Sequence, residues 1–390
     1  MFKQIILKSG RERSLINRHP WVFSGAVKEL PKASNGEIIE VLSNKNELLG
    51  YGFFSPNSQI TCRVFEFTNE IISINKKFWL KKIEAAFELR KQFINQTQTN
   101  IFRLAHAEGD FFPGVIIDIY NKTAVCQILI KGVELIKEDI FYALNKLGFA
   151  NIYLKTKQNT QLLEGVSEGN CWIAEKTLMP LTATENEIDF YIDVEQGQKT
   201  GFFIDQRENR KMLGKLSDEK NVLNTFSYSG GFSLYALKGG AKCVHSVDSS
   251  KDAIELCNKN VELNNFKNHE SFTEDCFLFL KNCQENFYDI IVIDPPAFAK
   301  HSRSVKNAAR GYKNLNMLGI NKIKPGGLIF TFSCSQHIDK DLFRKIIFGA
   351  AADCKKNVRV LRQLSQPDDH PINIFHPEGE YLKGLLLYVE

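Results

Sequence analysis

The stretch that most constrains this chain is Asn221–Ser250, NVLNTFSYSGGFSLYALKGGAKCVHSVDSS. Val222 and Leu223 open an apolar run of strand type, which breaks into Ser227-Tyr228-Ser229-Gly230-Gly231. A helical segment from Phe232 to Lys238 follows and stops at Gly239-Gly240; a second strand then ends on Asp248. Strand, glycine turn, helix, strand and acid is the opening half of a doubly wound nucleotide-binding sheet. Gly230 and Gly231 carry no Cβ, so a ligand can lie against their backbone. Asp248 stands where a carboxylate accepts hydrogen bonds from a ribose diol. The G-x-G-x-x-G loop that cradles a pyrophosphate is missing. The loop therefore suits a ligand with a ribose and no phosphate, such as S-adenosylmethionine, and argues against a nicotinamide dehydrogenase.

The alternation continues to the end of the chain. Strands are expected at 222–226, 243–247, 271–273, 289–293, 328–332 and 384–389, with helices at 232–238, 250–264, 276–283, 307–323 and 339–354. This is an α/β pattern with a mostly parallel sheet covered on both faces. Its ligands bind outside the carboxyl ends of the strands, and Asp248, Asp275, Asp294 and Cys334 all fall on such ends. Upstream, residues 1–70 read as short strands with turns, a small β-barrel pattern, and residues 75–180 as a helix followed by a β-β-α-β unit in which nothing looks catalytic. The expected division is 1–70, 75–180 and 185–390, the middle part shaping a cleft for a ligand of the whole chain.

Charge is uneven. Residues 1–32 hold Lys3, Lys8, Arg11, Arg13, Arg18, Lys28 and Lys32 against Glu12 and Glu29; residues 299–313 hold Lys300, Arg303, Lys306, Arg310 and Lys313 and no acid. In a chain of formal charge +5, two concentrated basic stretches point to a polyanionic partner. Arg11, Arg13, Arg18, Lys300, Arg303, Arg310 and Lys313 are the candidate RNA contacts, whereas Trp21 and Phe23, in Arg18-His19-Pro20-Trp21-Val22-Phe23, are expected to pack in the core. No run approaches a membrane span, and the N-terminus does not read as a signal peptide. Nine scattered cysteines without a C-x-x-C pair argue against disulfides or a zinc site and for a cytoplasmic setting; no metal is expected.

Two motifs carry chemistry. Strand 289–293 runs into Asp294-Pro295-Pro296, where two prolines stiffen the turn that holds the carboxylate. Strand 328–332 ends in Ser333-Cys334-Ser335, which sets a thiol between two serines at a ligand-binding edge, where it can serve as a nucleophile. The segment KTGFFIDQRENR, residues 199–210, is too polar for a plain connector and is expected to wall the same pocket.

Taken together, LNTFSYSGGFS, SVDSS, DIIVIDPPAFAK, RGYKNLN, TFSCS and DDHPINIFHPEGEYLKG make the whole chain resemble the bacterial large-subunit (23S-type) ribosomal RNA cytosine-5 methyltransferase family. The resemblance implies an N-terminal PUA domain, a central α+β domain and a class I methyltransferase domain. It implies that Gly230, Asp248 and Asp275 hold the methionine, ribose and adenine parts of S-adenosylmethionine. Gln206, Phe226, Ser227 and Tyr228 on one side, and Cys276, Asp294 and Pro295 on the other, then complete the pocket. Asp294 would face the base and Cys334 would add to carbon 6 of cytosine. Related RNA enzymes carry a second cysteine where this chain has Pro296, which leaves the base that releases the product unassigned. The implied partner is ribosomal RNA, free or in a large-subunit particle, with a homodimer left open and no membrane or metal. Two rivals have clear discriminators. Guanine-methylating relatives lack a cysteine at the position of Cys334, and a non-catalytic RNA-binding or assembly factor would not bind S-adenosylmethionine.

Overall fold

The computed structural model describes residues 2–156, 163–167, 169–173, 176–299 and 302–390. Contacts divide the chain into two units. The first comprises Met1–Asn186, Ile192–Ile204 and Asp368–Glu380; the second comprises Glu187–Tyr191, Asp205–Pro367 and Tyr381–Glu390.

In the first unit, β1 (Lys3–Leu7), β2 (Trp21–Phe23), β3 (Val27–Glu29), β4 (Ile38–Leu42), β5 (Leu48–Phe54) and β6 (Ile60–Glu66) form one sheet in the order β2-β6-β5-β4-β1-β3. A second sheet, β11-β10-β9-β8-β7, is built from β7 (Ile101–His106), β8 (Val115–Tyr120), β9 (Thr123–Ile128), β10 (Asn151–Leu154) and β11 (Cys171–Trp172). The helix Lys76–Phe93 packs Trp79 and Ile83 into a core shared with Phe53, Phe65 and Phe112. Asn75 caps that helix through its side-chain oxygen, which accepts from the Lys77 and Phe78 amides. Arg90, on the apolar stripe, is buried because its guanidinium grips both Asp110 oxygens and the Asp369 carbonyl. β12 (Leu181–Glu185) ends the unit's main segment.

The second unit, entered through β13 (Ile188–Ile192), is a seven-stranded sheet of β14 (Asn221–Thr225), β15 (Cys243–Asp248), β16 (His269–Thr273), β17 (Ile290–Ile293), β18 (Gly327–Ser333), β19 (Val358–Leu364) and β20 (Lys383–Val389). Its order is β16-β15-β14-β17-β18-β20-β19, with only β20 antiparallel to its neighbours. β17, IIVI, is buried at every position because helices cover both faces. Ile291 and Ile293 join a core with the helices Cys276–Asn282, Val305–Lys322 and Lys340–Cys354; Ile290 and Val292 join another with the helices Arg207–Lys215 and Gly231–Lys238. The α/β expectation holds, with one addition: β19 was not expected. It is an edge strand whose middle positions face solvent, so VRVLRQL shows no burial period.

Candidate active site

The candidate residues Asp248, Asp294 and Cys334 follow or end β15, β17 and β18, beside the loop that leaves β14. After β14 the chain turns through Phe226 and Tyr228, both at positive φ (56° and 47°). Aromatic residues rarely adopt this region, which costs about 1–3 kcal/mol each, and such strain collects where a ligand is clamped. The loop is fixed from outside. The Tyr228 amide donates to Asp248 Oδ2 at 2.9 Å, and the Phe226 amide to Cys276 Sγ at 3.2 Å. Asp248 also accepts from the Ser250 amide through Oδ1. Behind the loop, Asn224, Ser233, Ser246 and His269 form a hydroxyl-centred chain with links of 2.6–2.9 Å that ties β14, β15 and β16 to the helix Gly231–Lys238.

The two loop glycines are required by the protein itself rather than by a ligand alone. Gly230 sits at φ +83°, and a Cβ there would stand 2.5 Å from Cys257 Sγ; a Cβ on Gly231 would press on the Arg210 side chain at 3.1 Å. Packing alone therefore accounts for glycine at both positions. Cys276 is likewise a tether. It is buried, its thiol donates to the Val247 carbonyl, and burial pushes its pKa up to about 12, so it stays a neutral thiol. Asp275 is exposed and caps the following helix, Oδ1 accepting from the Leu278 amide at 3.0 Å.

A polar chain crosses the site. Asn209 Nδ2 donates to Gln206 Oε1 at 2.6 Å, and Gln206 Nε2 donates to Asp294 Oδ2 at 2.9 Å, with Gln206 only 2% exposed. Asp294 follows β17, and Pro295 behind it is buried. β18 lies beside β17 in parallel register, with Ile293 opposite Thr331, so Asp294 and Cys334 leave neighbouring strands at the same edge. Cys334 is half-buried between Ser333 and Ser335, both fully buried. Ser335 Oγ is held by the Tyr312 hydroxyl at 2.9 Å and the Ala299 amide at 3.2 Å. The Ser335 carbonyl accepts from Lys383 Nζ at 2.7 Å; the same ammonium donates to the Tyr381 carbonyl, and the Tyr381 hydroxyl to Asp205.

Sequence reading assigned no role to Lys383, Tyr381, Asn209 or Tyr312. Only their place in the motifs EYLKG, RENR and RGYKNLN was visible. Of the basic candidates, Arg303 and Arg310 are exposed and, with Lys306, make no ion pair among the described residues. Lys313 does not join them: its ammonium pairs with Asp353 at 2.7 Å on the facing helix, so its charge is already met. Lys300 lies outside the described residues. Arg11, Arg13 and Arg18, in the first unit, are exposed and without an ion pair among the described residues. Among the described residues, no cluster of His, Cys, Asp and Glu could hold a metal ion, and no helix is long and apolar enough to cross a membrane.

The pocket fits S-adenosylmethionine on its own evidence. Ser227 Oγ is buried and has no hydrogen-bond partner among the described residues, beside two strained aromatic residues and a carboxylate at the second strand end. Comparison with known proteins agrees. Residues 5–67 match the PUA-like domain family and residues 120–374 the S-adenosylmethionine-dependent methyltransferase family. The ribosomal RNA large subunit methyltransferase I of Alteromonas mediterranea is 39% identical over 100% of this chain and 99% of its own length. That of Aeromonas salmonicida is 40% identical over 98% of each. Among solved structures, a SAM-dependent methyltransferase from Streptococcus mutans superposes with a TM-score of 0.83 at 25% identity over 100% of both chains. Another methyltransferase, complexed with SAH, does so at 0.85 and 25%, again over 100% of both. The chain belongs to the S-adenosylmethionine-dependent methyltransferases and, within them, to the ribosomal RNA large subunit methyltransferase I family.

Proposed function

We propose that this methyltransferase modifies carbon 5 of a cytosine in large-subunit ribosomal RNA, with Cys334 as nucleophile and Asp294 at the base. The relatives' names supply the RNA. The observation that carries the base and the mechanism is the pairing of a half-buried cysteine and a carboxyl group on adjacent parallel strand ends. The three-part organisation 1–70, 75–180 and 185–390 is part of the same reading. Within the pocket, Asp248 takes the ribose, Asp275 the adenine side and the Phe226–Gly230 loop the methionine part, with Ser227 Oγ as one donor.

S-adenosylmethionine, when bound, supplies an electrophilic methyl group on a sulfonium. Carbon 5 of cytosine is too weak a nucleophile to take it unaided. The Cys334 thiolate adds to carbon 6, and the electron pair of the 5,6 double bond becomes available at carbon 5. Asp294, carrying a proton, donates to N3 and stabilises the charge that develops as the thiolate adds. The Gln206 amide holds the Asp294 carboxyl in one orientation. After methylation a base removes the carbon-5 proton, the 5,6 double bond re-forms, and Cys334 leaves as thiolate. The target base must be unstacked to enter, which favours a single-stranded or opened segment.

RNA carrying 5-fluorocytosine at the target tests this reading, because the carbon-5 substituent cannot leave. Wild-type protein with S-adenosylmethionine should form a denaturant-stable adduct and Cys334→Ser should form none. An adduct that persists in Cys334→Ser, or methylation without any wild-type adduct, would overturn the assignment and favour methylation of a guanine.

A further inference from the structure

Trp21 and Phe23 do not pack into the core. Phe23 is 47% exposed and Trp21 is half-buried, on β2 at the edge of the first sheet. Their rings belong to an aromatic group. The His19 and Phe23 rings lie 6.4 Å apart at 34°, while Trp21 stands edge-on to Phe23 at 6.2 Å and to His376 at 4.4 Å. The group is braced from beneath. Trp21 Nε1 donates to Glu108 at 2.8 Å, and the imidazoles of His19 and His376 approach Glu378 at 3.8 and 3.7 Å. His376 is 4% exposed, and neither of its ring nitrogens has a hydrogen-bond partner among the described residues. Phe23, 47% exposed, is therefore presented at the surface beside rings that are themselves tethered. Arg18, the residue before His19, is exposed at φ +63°, and Arg11 and Arg13 lie close by in the chain. All three are without an ion pair among the described residues.

We infer that Phe23, backed by His19 and Trp21, is a stacking platform for an unpaired nucleobase of single-stranded RNA, with Arg18, Arg11 and Arg13 on the flanking phosphates. Exposed aromatic faces beside unneutralised cations are how single strands are held without sequence preference, since every base offers a π-face and every nucleotide a charge. The inference rests on RNA as the substrate, but it concerns binding and not chemistry.

An oligouridylate of about 12 nucleotides is the probe, since it fits a single-strand site and lacks the base proposed to be modified. Titrated into the full chain, it should quench Trp21 fluorescence and bind more tightly than a duplex of equal length. Phe23→Ala should weaken binding roughly 5- to 150-fold, and Phe23→Trp should retain it. Arg18→Gln should reduce the log–log salt slope by about 0.7. Phe23→Ala affinity equal to wild type overturns the platform. So does a Phe23→Ala change that leaves RNA binding alone while dissociating a self-associated chain, which would give the patch to a second copy. Failure of 5-fluorocytosine trapping in wild type with normal oligouridylate binding would sink the catalytic reading and leave this one standing.

Discussion

The buried ammonium of Lys383 donates to the carbonyl oxygen of Ser335 at 2.7 Å, one residue beyond Cys334. With Lys383 only 3% exposed, and β20 pairing Lys383 against Ser333, its amine is fixed on the backbone one residue past the proposed nucleophile. A cation so placed favours thiolate over thiol. Lys383→Met should therefore move the rising limb of the pH–rate profile to higher pH and lower turnover at pH 7 about tenfold, while S-adenosylmethionine affinity stays constant. Loss of stability with an unshifted pH profile would make Lys383 a support of the Ser335 turn and nothing more.

Asp248 accepts the amides of Tyr228 and Ser250 and is also assigned the proposed ribose. Asp248→Asn keeps one acceptor for the loop and removes the charge. Calorimetry should find S-adenosylmethionine bound about 10- to 150-fold more weakly, corresponding to about 1.5–3 kcal/mol for a charged acceptor. Equal affinity would remove Asp248 from the pocket. A lowered melting temperature in the absence of cofactor would assign the effect to the Tyr228 contact instead.

Arg303, Lys306 and Arg310 follow one another at spacings of three and four residues, so they share a stripe leading into and along the helix Val305–Lys322. Replacing Arg303 and Arg310 by Gln should flatten the salt dependence of RNA binding by about 0.7 per lost single-strand contact. Lys313→Gln should leave the slope unchanged, because its ammonium already pairs with Asp353. Equal slopes in all variants would show that this stripe touches no phosphate.

Acid should loosen the second unit through His269. Burial and the neighbouring His245 lower its pKa to about 4, where it hydrogen-bonds Ser246. The folded value lies below the unfolded value near 6.5, so the unfolded chain binds the proton first. The stabilisation is complete above pH 6.5 and lost as pH falls towards 4. It is of order 2 kcal/mol after allowance for residual solvent contact. His269→Gln, which can still bond Ser246, should flatten the melting temperature between pH 6.5 and 4. A variant as acid-sensitive as wild type would place the effect elsewhere, with buried His106 the next group to replace.

Much of the site was legible because its parts are local. A glycine turn between strands, an acid at a strand end and a cysteine after an apolar run each declare themselves within a few residues. What stayed hidden depends on partners far along the chain. Lys383 acquires meaning only because β20 lies antiparallel against β18, and nothing within GEYLKG specifies that pairing. That Gly230 is also demanded by packing shows only once Cys257 is seen beside it. Trp21 and Phe23 look like core because aromatic residues usually are, but alternation along β2 turns Val22 inward and leaves its two neighbours on the other face. β19 escaped detection because an edge strand facing water carries no periodic signal.

The segment Asp368–Glu380 belongs to the first unit although the chain on either side of it belongs to the second. Its Asp369 accepts the Arg103 amide through Oδ2 and the Arg90 guanidinium through its carbonyl, both in the interior of the first unit. An excised fragment ending at Ile204 would keep Asp110 on Arg90 and Asp118 on Arg103 but lose the Asp369 contact of each. The first unit is therefore not a segment that a single cut of the chain can release whole. A single crossover after Ile204 would pass on the first unit without Asp368–Glu380, the segment that completes it.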